Sequence, residues 1–378
     1  MKRLFIIFLF PLLFLTCHKG GVPSVKIATN QPAIVPLLPP MKNQPKNIIL
    51  MIGDGMGLSQ ISAAMFMNNN KLNIQRMPII GLQKTYSSDN LVTDSAAAAT
   101  AFACGVKTYN GAIGLDWKGD PRKTILEEAE ENGLATGMIA TSTIVHATPA
   151  AFIAHQKLRG FYEPIAADFL KTDIDYFVGG GKKYFDRRDS DDRNLIDELK
   201  DKGYQIENYF TEPDLTKIKI HSEKNFGYFT SDDDPLTVNA GRDYLFAATK
   251  VGINFLKQKS DKGFFMMIEG SQIDWGGHAN NQEYVITELL DFDKAVGEVL
   301  EFAEKDGETL VIVTADHETG GMAVGPGSKM NRVKTTFTTG KHSAAMVPVF
   351  SYGPGAEIFG GVYENKQIFH KMKRAFGF

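Results

Sequence analysis

The sequence predicts an α/β protein, a three-layer α/β/α sandwich around a large, mostly parallel central sheet. Three observations predict this class. Short, continuously apolar runs alternate with amphipathic helices along the chain. Strands that are apolar on both sides are typical of parallel sheets covered by helices on both faces. The length of 378 residues and the apolar fraction of 43% suffice for a core of that size.

Five apolar runs are predicted as strands of this sheet because of their length and flanking residues. They are Ile48 to Ile52, Ala135 to Ala140, Phe264 to Ile268, Leu310 to Thr314 and Val347 to Tyr352. Two helices have readable ends. Asp120-Pro121 is typical of a helix start, with the end at Gly133, and a 3.6-residue apolar stripe runs from Glu283 to Asp306 until Gly307.

Charge and cysteine content exclude several classes of protein. The chain carries 41 basic and 44 acidic residues, a net charge of −3, which gives no support to a nucleic-acid-binding surface or a basic membrane-surface role. Two cysteines, Cys17 and Cys104, cannot form a disulfide framework. Cys104 is expected to be a small buried apolar side chain.

The first residues differ in composition from the rest of the chain. Residues 1–16 combine Lys2 and Arg3 with a twelve-residue apolar run, which predicts a signal peptide and therefore an exported, periplasmic or membrane-anchored protein. Cys17 then resembles the lipidated residue of a bacterial lipoprotein; ordinary secretion is the alternative. Residues 17–46 are expected to be a Pro-rich tether. Residues 47–378 are expected to form one domain, with the more polar stretch 171–261 as an excursion on it.

Carboxylates and histidines follow three of the predicted strands. Asp54 comes after the first strand, Glu269 after the third, and Asp316-His317 after the fourth; Asp274 and His278 follow Glu269 closely. The carboxyl ends of parallel strands meet at one edge, so these groups could converge there. Their mixture of carboxylate and imidazole suits zinc. Taken alone, Asp54 between two glycines is also typical of a turn, and Asp316-His317 of a solvated strand end. Gly276-Gly277 leave open whether Asp274 and His278 share a helix face.

Ser95 leads an alanine run, which predicts a helix start. One interpretation is that Ser95 caps this helix. The other is that its hydroxyl faces an anion held at the helix N-terminus. There is no Gly-x-Ser-x-Gly elbow, so an acyl-transfer hydrolase is not indicated.

In combination, these motifs resemble those of the alkaline phosphatase family, from about Asn47 to the C-terminus. The matching segments, in the family's order, are Gly53-Asp54-Gly55-Met56-Gly57, Thr93-Asp94-Ser95-Ala96, Gly105-Val106-Lys107-Thr108-Tyr109-Asn110, His146-Ala147-Thr148-Pro149-Ala150, Glu269-Gly270-Ser271-Gln272-Ile273-Asp274, Ala315-Asp316-His317-Glu318-Thr319-Gly320-Gly321 and Lys341-His342-Ser343. The resemblance implies the alkaline phosphatase fold. It also implies hydrolysis of small phosphate monoesters at alkaline pH, through a phosphoserine and with two zinc ions and one magnesium ion.

The resemblance also implies a role for each matching residue. Ser95 corresponds to the nucleophile and Arg159 to the arginine that grips phosphate. The first zinc would be held by Asp274, His278 and His342; the second by Asp54, Asp316 and His317, together with the Ser95 oxygen; and magnesium by Asp54, Thr148 and Glu269. His146 is expected to act beside the magnesium site through water, with direct ligation as the alternative. Trp275 would lie near the phosphate, and His155 is expected to be a structural histidine.

Only 24 residues separate His317 from His342, so the crown segment at about 318–341, which lies at the family's dimer interface, is short here. The resemblance implies a homodimer, and the short crown segment leaves its contacts open.

The alternative functions are a phosphodiesterase or sulfatase of the same fold and a catalytically silent, phosphate-binding surface lipoprotein. In the family, Thr148, Glu269 and Arg159 correspond to residues typical of monoesterases. A protein that binds phosphate without catalysis would be expected to lack at least one metal ligand, and none is missing from this sequence.

Overall fold

The computed structural model describes residues 41–378. The predictions for the signal peptide, for Cys17 and for the tether up to residue 40 therefore lie outside the described residues. The strands are β1 Asn47–Gly53, β2 Ile79–Lys84, β3 Ala135–Thr143, β4 Tyr176–Gly180, β5 Tyr204–Asn208, β6 Asn225–Phe229, β7 Phe264–Gly270, β8 Thr309–Thr314, β9 Glu318–Thr319, β10 Met322–Val324, β11 Thr335–Phe337, β12 His342–Ser343, β13 Val347–Tyr352 and β14 Gly361–Glu364.

Helices alternate with these strands as the sequence predicts. They are α1 Leu58–Met67, α2 Ser95–Cys104, α3 Ile125–Glu131, α4 Ala147–Ala150, α5 Tyr162–Asp168, α6 Lys183–Asp186, α7 Leu195–Asp201, α8 Tyr244–Lys259, α9 Gln272–His278, α10 Gln282–Asp306 and α11 Gln367–Phe376. Short 3₁₀ helices occupy Asn73–Arg76, Leu215–Lys217, Val238–Ala240 and Ala356–Phe359. Within residues 41–378, none of the helices combines the length and apolar character needed to cross a membrane.

Ten strands form one sheet in the order β14-β2-β13-β8-β1-β7-β3-β4-β6-β5. All five predicted strands are present, and the sheet is parallel except at β13, which runs antiparallel to both β2 and β8. An apolar run alone does not report strand direction, so β13 could not be distinguished from its parallel neighbours. The polar stretch 171–261 supplies β4, β5 and β6 at one end of the same sheet.

The apolar residues form one buried cluster on each face of the sheet, which confirms the three-layer prediction. Along β1, Ile48, Leu50 and Ile52 belong to one cluster, whereas Ile49 and Met51 belong to the other. Successive side chains of a strand point to opposite faces, so a run buried on both sides requires helices above and below.

The two helix ends read from the sequence have different outcomes. The long helix ends at Gly307, whose φ of 72° fits a glycine cap, as predicted. The start predicted at Asp120-Pro121 is wrong, because helix α3 begins only after Thr124. The Thr124 hydroxyl accepts from the Glu127 N–H and the Glu127 carboxylate accepts from the Thr124 N–H, so this capping box fixes the start.

Candidate active site

Four adjacent strands, β8, β1, β7 and β3, bring the predicted site residues to one edge of the sheet. Asp54 directly follows β1, Glu269 is near the end of β7, and Asp316 and His317 follow β8. His146 and Thr148 lie at the start of α4, after β3. The side chains of Asp54, Thr148, Glu269, Asp316 and His317 are fully buried. Chain segments far apart in sequence thus converge as the strand-end pattern predicts.

Asp274 and His278 lie on one face of helix α9, which settles the question that Gly276 and Gly277 raised. His278 Nε2 is 3.3 Å from Asp274 Oδ2. The glycines permit close packing: a Cβ on Gly276 would lie 2.6 Å from the Val285 nitrogen, and one on Gly277 would lie 2.9 Å from the Thr319 side chain. Two glycines therefore bring this short helix against its neighbours without breaking it.

The rings of His278 and His342 face each other beside Asp274. The two Nε2 atoms are 3.1 Å apart, and His342 Nε2 is 3.5 Å from Asp274 Oδ1. Each ring directs Nδ1 at a backbone carbonyl 2.8 Å away, Gly340 for His278 and Thr93 for His342. A carbonyl can only accept, so Nδ1 carries a proton, and in the neutral ring Nε2 then presents a lone pair. Two lone pairs converging on a carboxylate fit a metal cation.

A second group forms around the ring of His317. Its Nε2 is 3.5 Å from Asp54 Oδ1, 3.2 Å from Asp316 Oδ2 and 3.3 Å from Ser95 Oγ. Asp54, Asp316 and His317 each offer a ligand atom within 4.8 Å of the others, and so do Asp274, His317 and His342. Because the His317 and His342 rings stack with centroids 3.5 Å apart, the two groups adjoin. Their mixture of imidazole and carboxylate suits zinc.

A third group contains Asp54, His146 and Glu269, whose ligand atoms also lie within 4.8 Å of one another. Thr148 Oγ1 and Glu269 Oε1 are buried there without a hydrogen-bond partner, as are both carboxylate oxygens of Asp54. Buried polar atoms are rarely left unpaired, so these oxygens fit a bound cation. Oxygen ligands from Asp, Thr and Glu suit Mg²⁺.

The charges of the site also favour cations. Burial, together with the neighbouring carboxylates, raises the pKa of Asp54 well above its usual range, that of Asp316 to about 6 and that of Glu269 to about 8. Asp274 is the exception: despite burial, the hydrogen bonds that the His278 and His342 rings donate when they are protonated hold its pKa well below the usual range. Ionised carboxylates so close together need positive charge, and Arg159 supplies only one unit.

Helix α2 holds Ser95 at its first turn, but the capping interpretation of Ser95 is wrong. The cap is Asp94, whose Oδ1 accepts from the Ala97 N–H at 3.0 Å. The Ser95 hydroxyl is therefore free to face His317. Its position at a helix N-terminus favours an incoming anion.

Arg159 lies beside this helix and is held by two side chains. Nη1 donates to Asp94 Oδ2 at 3.3 Å, and Nη2 lies 3.2 Å from His146 Nε2. Since a guanidinium only donates, Nε2 of His146 accepts and its proton sits on Nδ1, which has no partner. A protonated Nδ1 can donate to a water but cannot bind a metal, which favours the expected water-mediated role. Trp275 contacts the same histidine edge-on, with ring centroids 6.1 Å apart.

Sequence reasoning assigned no role to Asp94, Glu318 or Thr319. Thr319 Oγ1 donates to Asp274 and lies 3.2 Å from His317 Nδ1, so it contacts two of the candidate ligands. Glu318 accepts from Gln60 and from Ser343, which joins the segments that carry His317 and His342. For Asp94 a signal existed, because Asp caps helices as well as Ser does. For the other two, partners distant in the sequence left no local signal.

The segment 318–343 forms two small two-stranded sheets, β9 with β12 and β10 with β11. The first pairs His342 with Thr319, which brings His342 to the other ligands although it precedes its strand. Cys104 is buried at the end of α2, as expected.

Comparisons with known proteins give one consistent result. The family model described as alkaline phosphatase matches residues 45–332. Alkaline phosphatase 3 of Bacillus subtilis (strain 168) is 33% identical, and the match covers 87% of this chain and 88% of that protein. The structure of alkaline phosphatase from the Antarctic bacterium TAB5 is 45% identical, with a TM-score of 0.82 over 89% of this chain and 99% of that one. A variant of the TAB5 enzyme with Mg bound in the M3 site has a TM-score of 0.83 at the same identity and coverage.

Proposed function

The chain belongs to the alkaline phosphatase family, and from this premise we propose how it hydrolyses phosphate monoesters with metal ions. Ser95 attacks the phosphorus atom, the alcohol leaves, and water then releases inorganic phosphate from the phosphoserine. The observation that carries this proposal is the position of Ser95 Oγ, 3.3 Å from His317 Nε2 at the edge of the carboxylate and histidine cluster. Covalent capture by serine splits one difficult displacement into two easier ones.

We assign the ions to the three neighbouring groups of ligands. Asp274, His278 and His342 would hold one zinc; Asp54, Asp316 and His317 would hold the second; and Asp54, Thr148 and Glu269 would hold magnesium. When bound, such ions neutralise the phosphate, lower the pKa of the serine hydroxyl and stabilise the leaving oxygen. Asp54 belongs to two of the candidate groups, which supports its assignment as the bridge.

Arg159 would bind two phosphoryl oxygens with its planar fork, which lysine could not reproduce. Asp94 and His146 hold the guanidinium beside Ser95. Trp275 would adjoin the phosphate and can donate one N–H without adding charge. The reaction would be favoured at alkaline pH because both the nucleophile and the attacking water must lose a proton.

A homodimer is the proposed assembly, and an uncovered part of the sheet supports it. On β2 and β14, Ile80 is 58% exposed and Val362 is 51% exposed. Val362 pairs in register with Leu82, so the three side chains share one face. The other face is closely covered, since a Cβ on Gly81 would lie 2.3 Å from the Phe359 carbonyl oxygen. Ile80→Lys should convert a dimer to monomers in sedimentation; an unchanged sedimentation coefficient would contradict this interface.

Export and a lipid anchor at Cys17 are proposed from the sequence. If they are correct, Cys17→Ala should move the protein from the bacterial membrane fraction to the soluble fraction.

Hydrolysis of a chromogenic monoester and of the matching diester, with and without chelator, tests the proposed activity. We expect the monoester to be the far better substrate, and chelator to abolish turnover until zinc and magnesium are restored. Ser95→Ala should lose the activity, whereas Ser222→Ala, an exposed serine far along the chain, should keep it. Faster hydrolysis of the diester would indicate a phosphodiesterase instead. Binding of phosphate without turnover of either substrate would indicate a phosphate-binding lipoprotein without catalytic activity.

A further inference from the structure

His155 lies between α4 and α5, and both of its ring nitrogens face hydrogen-bond acceptors. Nδ1 is 2.9 Å from the Gly114 carbonyl oxygen, and Nε2 is 3.0 Å from Glu127 Oε1. The carbonyl can only accept. Glu127 is the ionised member of the α3 capping box, and its hydrogen bonds hold its pKa below the usual value despite partial burial. Both ring nitrogens therefore donate, and the ring is an imidazolium.

The charged ring closes a short antiparallel ladder between residues 111–114 and 155–159. Gln156 and Ile113 exchange two backbone hydrogen bonds of 2.9 Å, and the Arg159 N–H donates to the Gly111 carbonyl oxygen at 2.7 Å. At the other end, the His155 ring is seated against Gly114, where a Cβ would lie 2.7 Å from Nδ1. The ladder thus begins at His155 and ends at Arg159.

The Arg159 end of this ladder is joined to the start of α2. Asp94 Oδ2 accepts both from the Gly111 N–H at 3.0 Å and from Arg159 Nη1 at 3.3 Å. A shift of residues 111–114 against 155–159 would therefore move the guanidinium relative to Ser95. Small displacements of a positioned group cost activity far out of proportion to their size.

We propose that His155 is a positioning residue for Arg159. The charged ring of His155 keeps residues 111–114 and 155–159 in register, so that the Arg159 guanidinium can bind substrate phosphate. This inference rests on the phosphate-binding role proposed for Arg159. The charged groups near the ring are Glu127 on α3, which accepts from it, and Asp168 on α5, whose carboxylate accepts from the backbone N–H of His155 at 3.0 Å. Although burial opposes the charge, these partners raise the pKa of His155 above its usual value.

A double-mutant cycle on the inhibition constant of inorganic phosphate tests the proposal. At neutral pH, His155→Gln should weaken phosphate binding by about tenfold, the loss typical of one charge-assisted hydrogen bond. In the Arg159→Ala background the same substitution should have no further effect, because coupled residues are not additive. His370→Gln is the control: the His370 ring also lies against a backbone carbonyl, that of Gly105 at 3.2 Å, but it is an exposed residue, and its substitution should leave phosphate binding unchanged.

A pH series supplies a readout that a merely structural role would not move. The His155 ring is charged below its raised pKa and neutral above it. The ratio of the phosphate inhibition constants of His155→Gln and the wild type should therefore fall towards one as the pH rises through that pKa. If His155→Gln does not fold, Glu127→Gln removes the same ion pair while keeping the ring, and it should show the same cycle.

The outcomes separate this inference from the proposed function. If Arg159→Ala alone leaves phosphate affinity unchanged, the role of Arg159 is wrong. The second case is that Arg159→Ala weakens phosphate binding as expected. If His155→Gln then weakens phosphate binding by the same factor in the wild-type and Arg159→Ala backgrounds, or by the same factor at every pH, the positioning role of His155 is overturned while the proposed function remains.

Discussion

Asp54→Asn should stabilise the metal-free protein and, at the same time, damage the metal-loaded enzyme. Asp54 is fully buried, and neither of its carboxylate oxygens has a hydrogen-bond partner. Burial and the charges of Asp316, Asp274 and Glu269 raise its pKa well above the usual value. Without metal, this carboxylate therefore destabilises the folded state at neutral pH, because folding must either keep it ionised in a buried site or protonate it.

The size of this effect follows from the neighbours of Asp54. Leaving a buried polar group unpaired costs about 1–3 kcal/mol, and more when it is charged. The amide of asparagine removes the charge, and its N–H can donate to Asp316 Oδ2 or Glu269 Oε1, which both lack partners. We therefore expect a gain of at least ~1 kcal/mol in unfolding free energy.

The pH dependence of this gain has a definite sign. Because the pKa of Asp54 is higher in the folded than in the unfolded protein, its cost is absent below the ordinary value of about 3.8 and grows as pH rises. The gain from Asp54→Asn in chelator should therefore be small near pH 4 and larger near pH 7.

With zinc and magnesium the sign reverses. Asp54 belongs to two of the three ligand groups and His342 to one. Asp54→Asn should therefore lose metal from two sites and cost more activity than His342→Ala. Urea unfolding with and without chelator, metal content and single-turnover rates measure these effects.

Asp293→Asn is the matched control. This buried carboxylate lies outside the site and accepts three hydrogen bonds from Asn73 and Ile74, so its loss should destabilise the protein with or without metal. The reasoning is refuted if Asp54→Asn destabilises the protein in chelator as Asp293→Asn does, or if it binds the full complement of metal.

Three further predictions concern Arg159, Asp94 and Glu130. Arg159→Ala should lower kcat/KM for a monoester by roughly 10–150-fold, the value of a charge-assisted pair; a loss seen only with a diester would contradict the monoesterase assignment. Asp94→Ala removes the α2 cap and a partner of Arg159, so unfolding free energy should fall by about 1 kcal/mol and KM should rise; unchanged kinetics would argue against the Arg159 contact. Burial raises the pKa of Glu130 to about 8, so its contribution is full below about 4.5 and is lost as pH rises through about 8. Glu130→Gln should flatten that part of the stability profile, as urea unfolding across pH would measure.

The sequence was sufficient for the parts of the fold that depend on local pattern. Strands buried on both faces read as continuous apolar runs, and Gly307 marks the end of α10 as its conformation requires. Local pattern does not report strand direction, so the antiparallel β13 could not be distinguished from the parallel strands. It also favoured the Asp120-Pro121 start, although the Thr124 capping box was present in the sequence four residues later.

The site was predictable to the extent that its residues follow strand ends or match family motifs. Asp54, Glu269, Asp316 and His317 converge because neighbouring strands end together. The contacts of Asp94, Glu318 and Thr319 depend on partners elsewhere in the chain, such as Arg159, which only the folded structure brings near. Helix α9 also required tertiary packing, since its glycines are explained by Val285 and Thr319.

The most direct test of the central claim is the location of the covalent phosphate. The protein, loaded with zinc and magnesium, should be incubated with inorganic phosphate at acidic pH. The second step slows there because the attacking water must lose a proton. Peptide mass spectrometry should then find phosphate on Ser95, and Ser95→Ala should show neither label nor normal turnover. Phosphate on Thr93, two residues away, or normal turnover by Ser95→Ala would contradict the mechanism.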